Sequence, residues 1–491
     1  MKEKFSKLLK AVFFFLVLGF LIGKLTQVMI LRGTLVLPKD YYDYPKNTFD
    51  AVIFGPSTVR NAIYPRQLYD DYGIVSYNLG TGSQTVPQTY YLAEETIKRD
   101  HPKLLIVMAG LLTEKNVIHG KAFMHYLTDS MPVFSVSKLK MIWRLDREHA
   151  VEYLFPLDIY HTRWKTYTEE DAKSFDRSLA LGARISANQT AVEAYEDNPL
   201  DENYALSEQM CAWLDRLIQL CKANDTELLF VTTPSIGNDW VSQSLYDERR
   251  NAAAALTEFL EPYGITHLDY LAAGEELGIS LETDSADGHH LNVRGSEKFT
   301  EMIGAYLEEH YDLPDRREDA RYSWLDDEKD AYRSYYWTCL IQQASAADTY
   351  FEYLQKASEE EDYLILAASD GKVPLNLTAD EQAAAWLESC GLDAEDAAAA
   401  FTAVISDGKI LSLKNEQAAA EGCLEKIGDV TAEAAIENGS VVFRLNETGY
   451  AQPEGGLQIL VYDRKEGRVI DSAAFSIAED GSLSAPVHRL V

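Results

Sequence analysis

Cysteine is scarce in this chain. Five of the 491 residues are cysteines (Cys211, Cys221, Cys339, Cys390 and Cys423), and no two stand in a Cys-x-x-Cys spacing. That excludes a disulfide-dense scaffold and a structural zinc site of the usual spacing. One bridge among the last three stays open. Positive charge is scarce as well. Lys and Arg number 45 against 78 Asp and Glu, for a net charge of −33 at pH 7. Such a balance argues against nonspecific nucleic-acid binding and against a broad polybasic membrane-docking surface. A strongly anionic polymer is an awkward substrate, unless a local basic patch offsets the repulsion. Otherwise the composition is ordinary. Hydrophobic residues make up 46% and charged residues 25%, enough for two or three domains with at least one large core.

Long apolar runs are missing except near the start. Lys2, Lys4, Lys7 and Lys10 precede the run from Ala11 to Gly23; Lys24 interrupts, and Leu25 to Leu31 is again mostly apolar. The unbroken run is short of the ~20 residues a spanning helix needs. A cleaved signal peptide has the same charge and apolar core, but no small-x-small cleavage site follows. An uncleaved signal anchor accommodates Lys24 if its stem snorkels toward the outer interface. The anchor is the reading adopted for residues 1–32. Positive charge ahead of it predicts a single pass, with a cytoplasmic N-terminus and the bulk of the chain outside.

Beyond a Pro- and Tyr-rich connector, short apolar runs alternate with helical stretches. Strands are predicted at Ala51–Phe54, Ile74–Leu79, Leu104–Met108, Leu228–Thr232 and Ile265–Leu268. Helices are predicted at Pro65–Tyr72, Pro87–Arg99, Leu206–Ala223, Asp247–Tyr263 and Ser296–His310. The alternation predicts an α/β domain over residues 33–314, a doubly wound, mostly parallel sheet in a three-layer arrangement. Residues 111–205 break it. They are rich in aromatics, with a helical stretch at Val133–Trp143, and read as a helical insertion over the sheet edge, a lid or substrate wall. From Asp315 the composition shifts to alanine and glutamate. Strand patterns at Tyr363–Ala368, Phe401–Ile405, Val441–Leu445, Leu457–Tyr462 and Val469–Ile477, with a helix at Ala383–Cys390, predict a separate α+β or β-sandwich-like domain over 315–491.

Chemistry concentrates in two segments. Gly55-Pro-Ser57 follows the first predicted strand, and Asp287-Gly-His289-His290 precedes the last helix of the α/β part. Ser57 does not lie in the Gly-x-Ser-x-Gly elbow of α/β-hydrolases, because Val59 takes the last position. A serine there commonly caps a helix; it is also placed beside free amides that can stabilise an oxyanion. Asp287 and His290, three apart in a turn, can face one way, so that the carboxylate holds one ring nitrogen and the other faces a serine. The plain alternative is that Asp287 caps the following helix. A metal site from Asp284, Asp287, His289 and His290 lacks a familiar ligand spacing.

Together, Gly55-Pro-Ser57, Asn78-Leu-Gly-Thr-Gly82-Ser83-Gln84 and Asp287-x-x-His290-Leu-Asn resemble the SGNH/GDSL hydrolase superfamily. More narrowly they resemble its membrane-anchored bacterial branch, related to the alginate O-acetylation proteins. Pro156-Leu-Asp-Ile-Tyr160-His161-Thr-Arg163-Trp164 is similar to a motif of that branch. The resemblance covers about Asp50 to Tyr311. It implies an SGNH-like fold, with Ser57 as nucleophile, His290 as base, Asp287 as orienting acid, and the amides of Ser57 and Ser83 as oxyanion donors. It implies a serine-dependent O-acetyl transferase or esterase acting on a cell-surface polysaccharide, or a non-catalytic subunit of an O-acetylation system. A membrane-bound O-acyltransferase is the implied partner, and no cofactor or metal is implied. Asn61, Gln84, His161, Arg163 and Trp164 are the candidate substrate contacts. Two positions depart from the pattern: Ser83 stands where the family has glycine, and Met108-Ala-Gly-Leu111 where it has an Asn donor. In the C-terminal part, Gly455 to Asp463, Val469 to Phe475 and Leu377 to Gly391 resemble the ILEI/PANDER-like domain, some members of which are implicated in carbohydrate binding.

Overall fold

A computed structural model of the chain describes residues 2–30, 36–109, 112, 121–132, 135–166, 178–235, 237, 242–274, 276–376, 381–393, 397–415, 419, 421–451 and 456–488. The chain divides into two compact units: 1–184 with 190–323, and 185–189 with 324–491.

The first unit opens on helix α1 (Lys2–Met29). Its side chains at 2–5, 8, 9, 16 and 27 lie outside the described set, and among the described residues no helix is long and apolar enough to cross a membrane. The core of the unit is a five-stranded sheet of β1 (Ala51–Phe54), β2 (Ser76–Asn78), β3 (Leu104–Val107), β4 (Glu227–Thr232) and β5 (His267–Asp269). All four pairings are parallel, and the order is β2-β1-β3-β4-β5. Every β1 and β3 side chain is buried, as expected of parallel strands covered on both faces. The period of two divides them. Ala51, Ile53, Leu104, Ile106, Leu229 and Val231 join one core with Phe299, Ile303 and Leu307. Their neighbours Val52, Phe54, Leu105 and Val107, equally buried, point to the other face.

The helices follow the same division. α2 (Ser57–Ala62) and α3 (Pro65–Tyr72) come after β1, and α4 (Val86–Asp100) after β2. Thr85 and Gln88 start α4 with a capping box. Inside the insertion lie α5 (Lys121–Thr128), α6 (Val136–Leu145), α7 (Ala150–Leu154) and α8 (Leu157–Tyr160). Then come α9 (Glu208–Lys222), α10 (Gln243–Leu260) and α11 (Val293–His310). α11 packs on α2 and α3, while α9 packs on α4. The chain leaves β1 for β2 on one side and reaches β3 on the other. A crevice therefore opens beyond the carboxyl ends of β1 and β3, where ligands bind in folds of this kind.

Two expectations need correcting. The charged segment after residue 314 is not a junction. Arg316 pairs both Asp50 carboxylate oxygens at 2.8 Å, and Tyr322 donates to Thr48 O at 3.0 Å. Those bonds tie the segment to the start of β1, so the first unit runs through residue 323. Nor do all the described parts of the insertion lie at the sheet edge. α6 packs on α4, and α8 packs on α1. It is the return segment that reaches the sheet, where Leu181 O accepts from Asn78 N at 3.0 Å.

The second unit pairs two antiparallel sheets. One has the order β15-β14-β13-β6-β7-β8, the other β12-β11-β10-β9. Here β6 is Tyr363–Ser369, β7 Phe401–Ser406, β8 Lys409–Asn415, β9 Cys423–Ile427 and β10 Val430–Glu437; β11 is Ser440–Leu445, β12 Thr448–Ala451, β13 Leu457–Asp463, β14 Arg468–Phe475 and β15 Val487–His488. Leu364, Leu366, Val404 and Leu460 of the larger sheet share a core with Ala432, Ala434, Val441 and Phe443 of the smaller. Helices α12 (Lys329–Gln343), α13 (Ala347–Glu360) and α14 (Glu381–Cys390) complete the unit. Phe351 of α13 stacks on Phe475 at 5.2 Å. Sheet-on-sheet packing and packed helices thus occur together in this α+β unit.

Candidate active site

Ser57 owes its place to a sharp turn at the end of β1. Gly55 has φ +148°, and a Cβ there would lie 2.8 Å from Met108 Cβ and 2.9 Å from Met108 O. The ends of β1 and β3 approach too closely for any side chain between them. Pro56 is the cap of α2, so Ser57 is its first residue and the hydroxyl is not used in capping. Gly55→Ala is expected to destabilise the protein by about 1–3 kcal/mol through overpacking and backbone strain. A thermal melt of the full-length variant checks this.

The Ser57 hydroxyl lies 2.8 Å from His290 Nε2. His290 Nδ1 in turn lies 2.9 Å from Asp287 Oδ2 and 3.1 Å from Oδ1. A tight reversal brings Asp287 and His290 together. Ala286 N donates to His290 O at 2.9 Å, Ser285 bridges to Leu291, and Gly288 takes φ +78° at the bend. Gly288 N donates to Ser285 Oγ at 2.6 Å. Asp287 Oδ1 accepts the amides of His289 and His290 at 3.1 and 2.9 Å. The capping role falls instead to Asn292, whose Oδ1 accepts from Arg294 N and Gly295 N. Ser296 Oγ, 2.6 Å from Asn61 O and 2.7 Å from Asn292 O, ties α11 to the helix that begins with Ser57.

Burial is the largest influence on the Asp287 carboxyl and raises its pKa. The bonds to His290, its charge and the two amides outweigh burial and hold the value at about 2. A depressed carboxylate contributes stability that is present above its unfolded value of about 3.9 and lost as pH falls through about 2. The side chain is 39% exposed, so water screens much of that contribution. Asp287→Asn is therefore expected to unfold more easily than wild type at neutral pH, with the gap closing between pH of about 4 and about 2. Urea titrations at several pH values read this directly. Burial also drives His289 down to about 3, leaving it neutral beside the pair.

The oxyanion candidates lie on neighbouring loops. As the first residue of a helix, Ser57 has an amide with no intrahelical acceptor. Ser83 sits at φ +51°, the left-handed conformation in which the resembling family has glycine. Its turn is held by Asn78, whose Oδ1 accepts from Gly80 N and whose Nδ2 donates to Val59 O and Ile63 O, all at 3.0 Å. After β3, the Met108 sulfur accepts from Thr58 Oγ1 at 3.1 Å and supplies no donor. Gly110 and Leu111 lie outside the described residues.

The expected substrate contacts fall elsewhere. Gln84 is fully buried. Its amide donates to Leu79 O and accepts from Thr89 Oγ1, at 2.9 Å each, so it fixes the loop. Asn61 is buried to 2% exposure; its main-chain carbonyl accepts from Ser296, and its Oδ1 has no partner among the described contacts. Arg163 donates to Met29 O and Ile30 O, at 2.9 and 2.7 Å, closing the end of α1. His161 sits with its Nδ1 2.6 Å from Asp158 O. Trp164 is exposed, with Lys165 over its ring at 5.7 Å. Polar type alone favours Gln84 and Asn61 as ligands; the Gln84 amide is spent inside its loop, while Asn61 Oδ1 is not. The positioning roles of Ser285 and Ser296 left no signal in the sequence, since both depend on partners outside the local pattern.

Rival chemistries find little support. Asp284 is engaged by Ser280 N, Thr283 Oγ1 and Lys298 Nζ, away from the His290 pair. Among the described residues no three His, Cys, Asp or Glu side chains are arranged to hold a metal. All five cysteines are free. Burial pushes the Cys221 thiol up to about 12, and those of Cys339 and Cys390 to about 11, so none of these is a thiolate at neutral pH.

No family model and no curated protein matches the chain. Solved structures similar to it include a GDSL-like lipase from Bacteroides thetaiotaomicron, at 12% identity and TM-score 0.26, covering 53% of this chain and 87% of that one. A psychrotrophic esterase from Pseudoalteromonas is 9% identical with TM-score 0.27, covering 53% and 97%. An acetyl xylan esterase is 12% identical with TM-score 0.28, covering 52% and 99%. Likenesses at such scores carry no weight in assigning a function, which rests on the geometry of the site.

Proposed function

We propose that the first unit is a serine-dependent acyl-group enzyme of SGNH type that moves acetyl groups on a cell-surface polysaccharide. The observation that carries the proposal is the continuous relay from the Ser57 hydroxyl through His290 to Asp287. His290 Nε2 takes the Ser57 proton as the oxygen attacks an ester carbonyl. The tetrahedral oxyanion meets the amides of Ser57 and Ser83. On collapse, the leaving alkoxide takes the proton from His290, and the acetyl group remains on Ser57 as an ester. An incoming sugar hydroxyl then gives its proton to His290 and attacks that ester. The proton returns to Ser57 as the acetylated sugar leaves. Asp287 stays ionised throughout and stabilises the imidazolium.

The extracellular placement rests on α1. Its residues 11–29, apolar apart from Lys24, Thr26, Gln27 and two glycines, rise about 29 Å at ~1.5 Å each, and lysines stand ahead of them. With a net charge of −33, a neutral or cationic glycan suits the enzyme better than a polyanion. A membrane-bound acyltransferase would supply the acetyl donor from the other side. We assign the second unit to glycan binding or spacing, in line with its ILEI/PANDER-like sequence segments.

One observation favours a weaker role. Met108 stands where the resembling family has an Asn donor, and its sulfur accepts from Thr58; a hole lacking one such donor would forgo about 2.7–4 kcal/mol in the transition state. The test uses the full-length protein, an activated acetyl ester and an oligosaccharide acceptor. Acetylated oligosaccharide that depends on Ser57 supports transfer. Acetate alone at every acceptor concentration rejects transfer in favour of an esterase. No turnover and no acyl-Ser57 rejects both in favour of a non-catalytic subunit.

A further inference from the structure

The insertion presents large apolar side chains to solvent. Trp143 is 69% exposed, Phe155 62% and Trp164 64%, with Leu139, Val151 and Ile159 exposed around them. On α6 the pattern is one-sided. Met141 and Ile142 are buried, while Leu139, Lys140, Trp143 and Arg144 share the opposite face at helical spacing. Val151 on α7, Phe155 just after it and Ile159 on α8 are exposed as well. The same stretch departs from the charge of the chain. Over 135–165 six basic residues stand against four acidic ones, in a protein of net charge −33; of the six, Lys138 is buried and Lys140 pairs with Glu94 of α4. A helix face with Trp and Leu at its centre and Lys and Arg at its margin is the pattern of elements that lie in a membrane interface.

The position of this patch relative to α1 says what covers it. Arg163 holds the carbonyls of Met29, the last residue of α1, and of Ile30 just after it, and α8 packs against the same helix. Described side chains along α1 itself, including Phe13, Phe15 and Phe20, are exposed. The exposed apolar side chains near α8 therefore start beside the point where the proposed anchor leaves the bilayer, and α7 links α8 to α6. We propose that this face of the insertion rests in the outer interfacial layer of a phospholipid membrane, with Trp143 and Trp164 at headgroup level. This rests on the reading of α1 as the anchor. Tryptophan prefers that depth because its ring is apolar and its N–H needs a polar neighbour. Arg163 then fixes the angle at which the anchor meets the catalytic unit, and the protein rides close to the membrane instead of swinging on a tether.

The test places the full-length protein in nanodiscs whose phospholipids carry bromine on the upper acyl chain, a short-range quencher of tryptophan. Wild type is compared with the double variant Trp143→Phe/Trp164→Phe, and labelling of Ser57 confirms that both are folded. The expected result is quenched emission in wild type, with the bromine-quenchable part roughly halved or lower in the variant. Protein that co-migrates with nanodiscs yet shows equal quenching in both forms overturns the proposal while leaving the anchor in place. Failure to associate with nanodiscs at all overturns both. In native membranes, a photo-crosslinker replacing Phe155 should capture lipid; capture of a second protein instead rejects the lipid interface in favour of a protein partner.

Discussion

Ser57→Ala is expected to lower turnover of acetyl esters by about 10⁴-fold or more, leaving only what the oxyanion donors and binding supply. The size of the effect follows from the geometry. Ser57 Oγ lies 2.8 Å from His290 Nε2, placed to give up its proton as it attacks. Folding should be nearly untouched. The hydroxyl does not cap α2, and Pro56 and Gly55 keep the turn. A loss in kcat with an unchanged melting temperature is thus the signature to look for. A parallel loss in both would mean that the hydroxyl supports the fold and not the reaction.

Asp287→Asn is expected to cost about 10⁴-fold in kcat, close to the loss from removing the serine. The asparagine oxygen can still accept the amides of His289 and His290, so the turn persists. What changes is the contact with His290 Nδ1. A carboxylate accepts the Nδ1 proton and leaves Nε2 free to take the proton of Ser57. An amide NH₂ facing Nδ1 favours the opposite tautomer, with the proton on Nε2 and no base facing the serine. The electrostatic support for the imidazolium disappears as well. Steady-state rates between pH of about 6 and about 9, with KM and kcat separated, check this. The fall should lie in kcat, since Asp287 does not touch substrate.

How much of the fold and site was legible in the sequence depended on how far each signal reached. β1, β3 and β4 are short unbroken apolar runs between helices, and the sequence pattern located each to within a residue or so. The smaller sheet of the second unit was mostly hidden. β10 carries Ala432, Ala434 and Ala435 among glutamates, a composition that favours helix, and only pairing to β9 and β11 makes it a strand. Asp287 and His290 were found through spacing, but the physical reason differed. The pair meets across a glycine-bent reversal bridged by Ser285 and Leu291, not along a turn leading into the helix. Arg163 counts as a candidate substrate contact through the motif it shares with His161 and Trp164. Its actual partners, Met29 and Ile30, lie more than a hundred residues earlier, beyond the reach of any local pattern. That residues 315–323 group with the first unit is hidden for a similar reason. A charged segment looks like a linker until Asp50 is seen to pair with Arg316.

Active-site labelling tests the central claim most directly. The full-length protein is treated with a fluorophosphonate at neutral pH, digested, and mapped by mass spectrometry. One phosphonyl adduct is expected on Ser57, absent in Ser57→Ala and strongly slowed in His290→Ala. Reaction at a different serine, or labelling of Ser57 at the same rate with and without His290, would contradict the roles assigned to the pair.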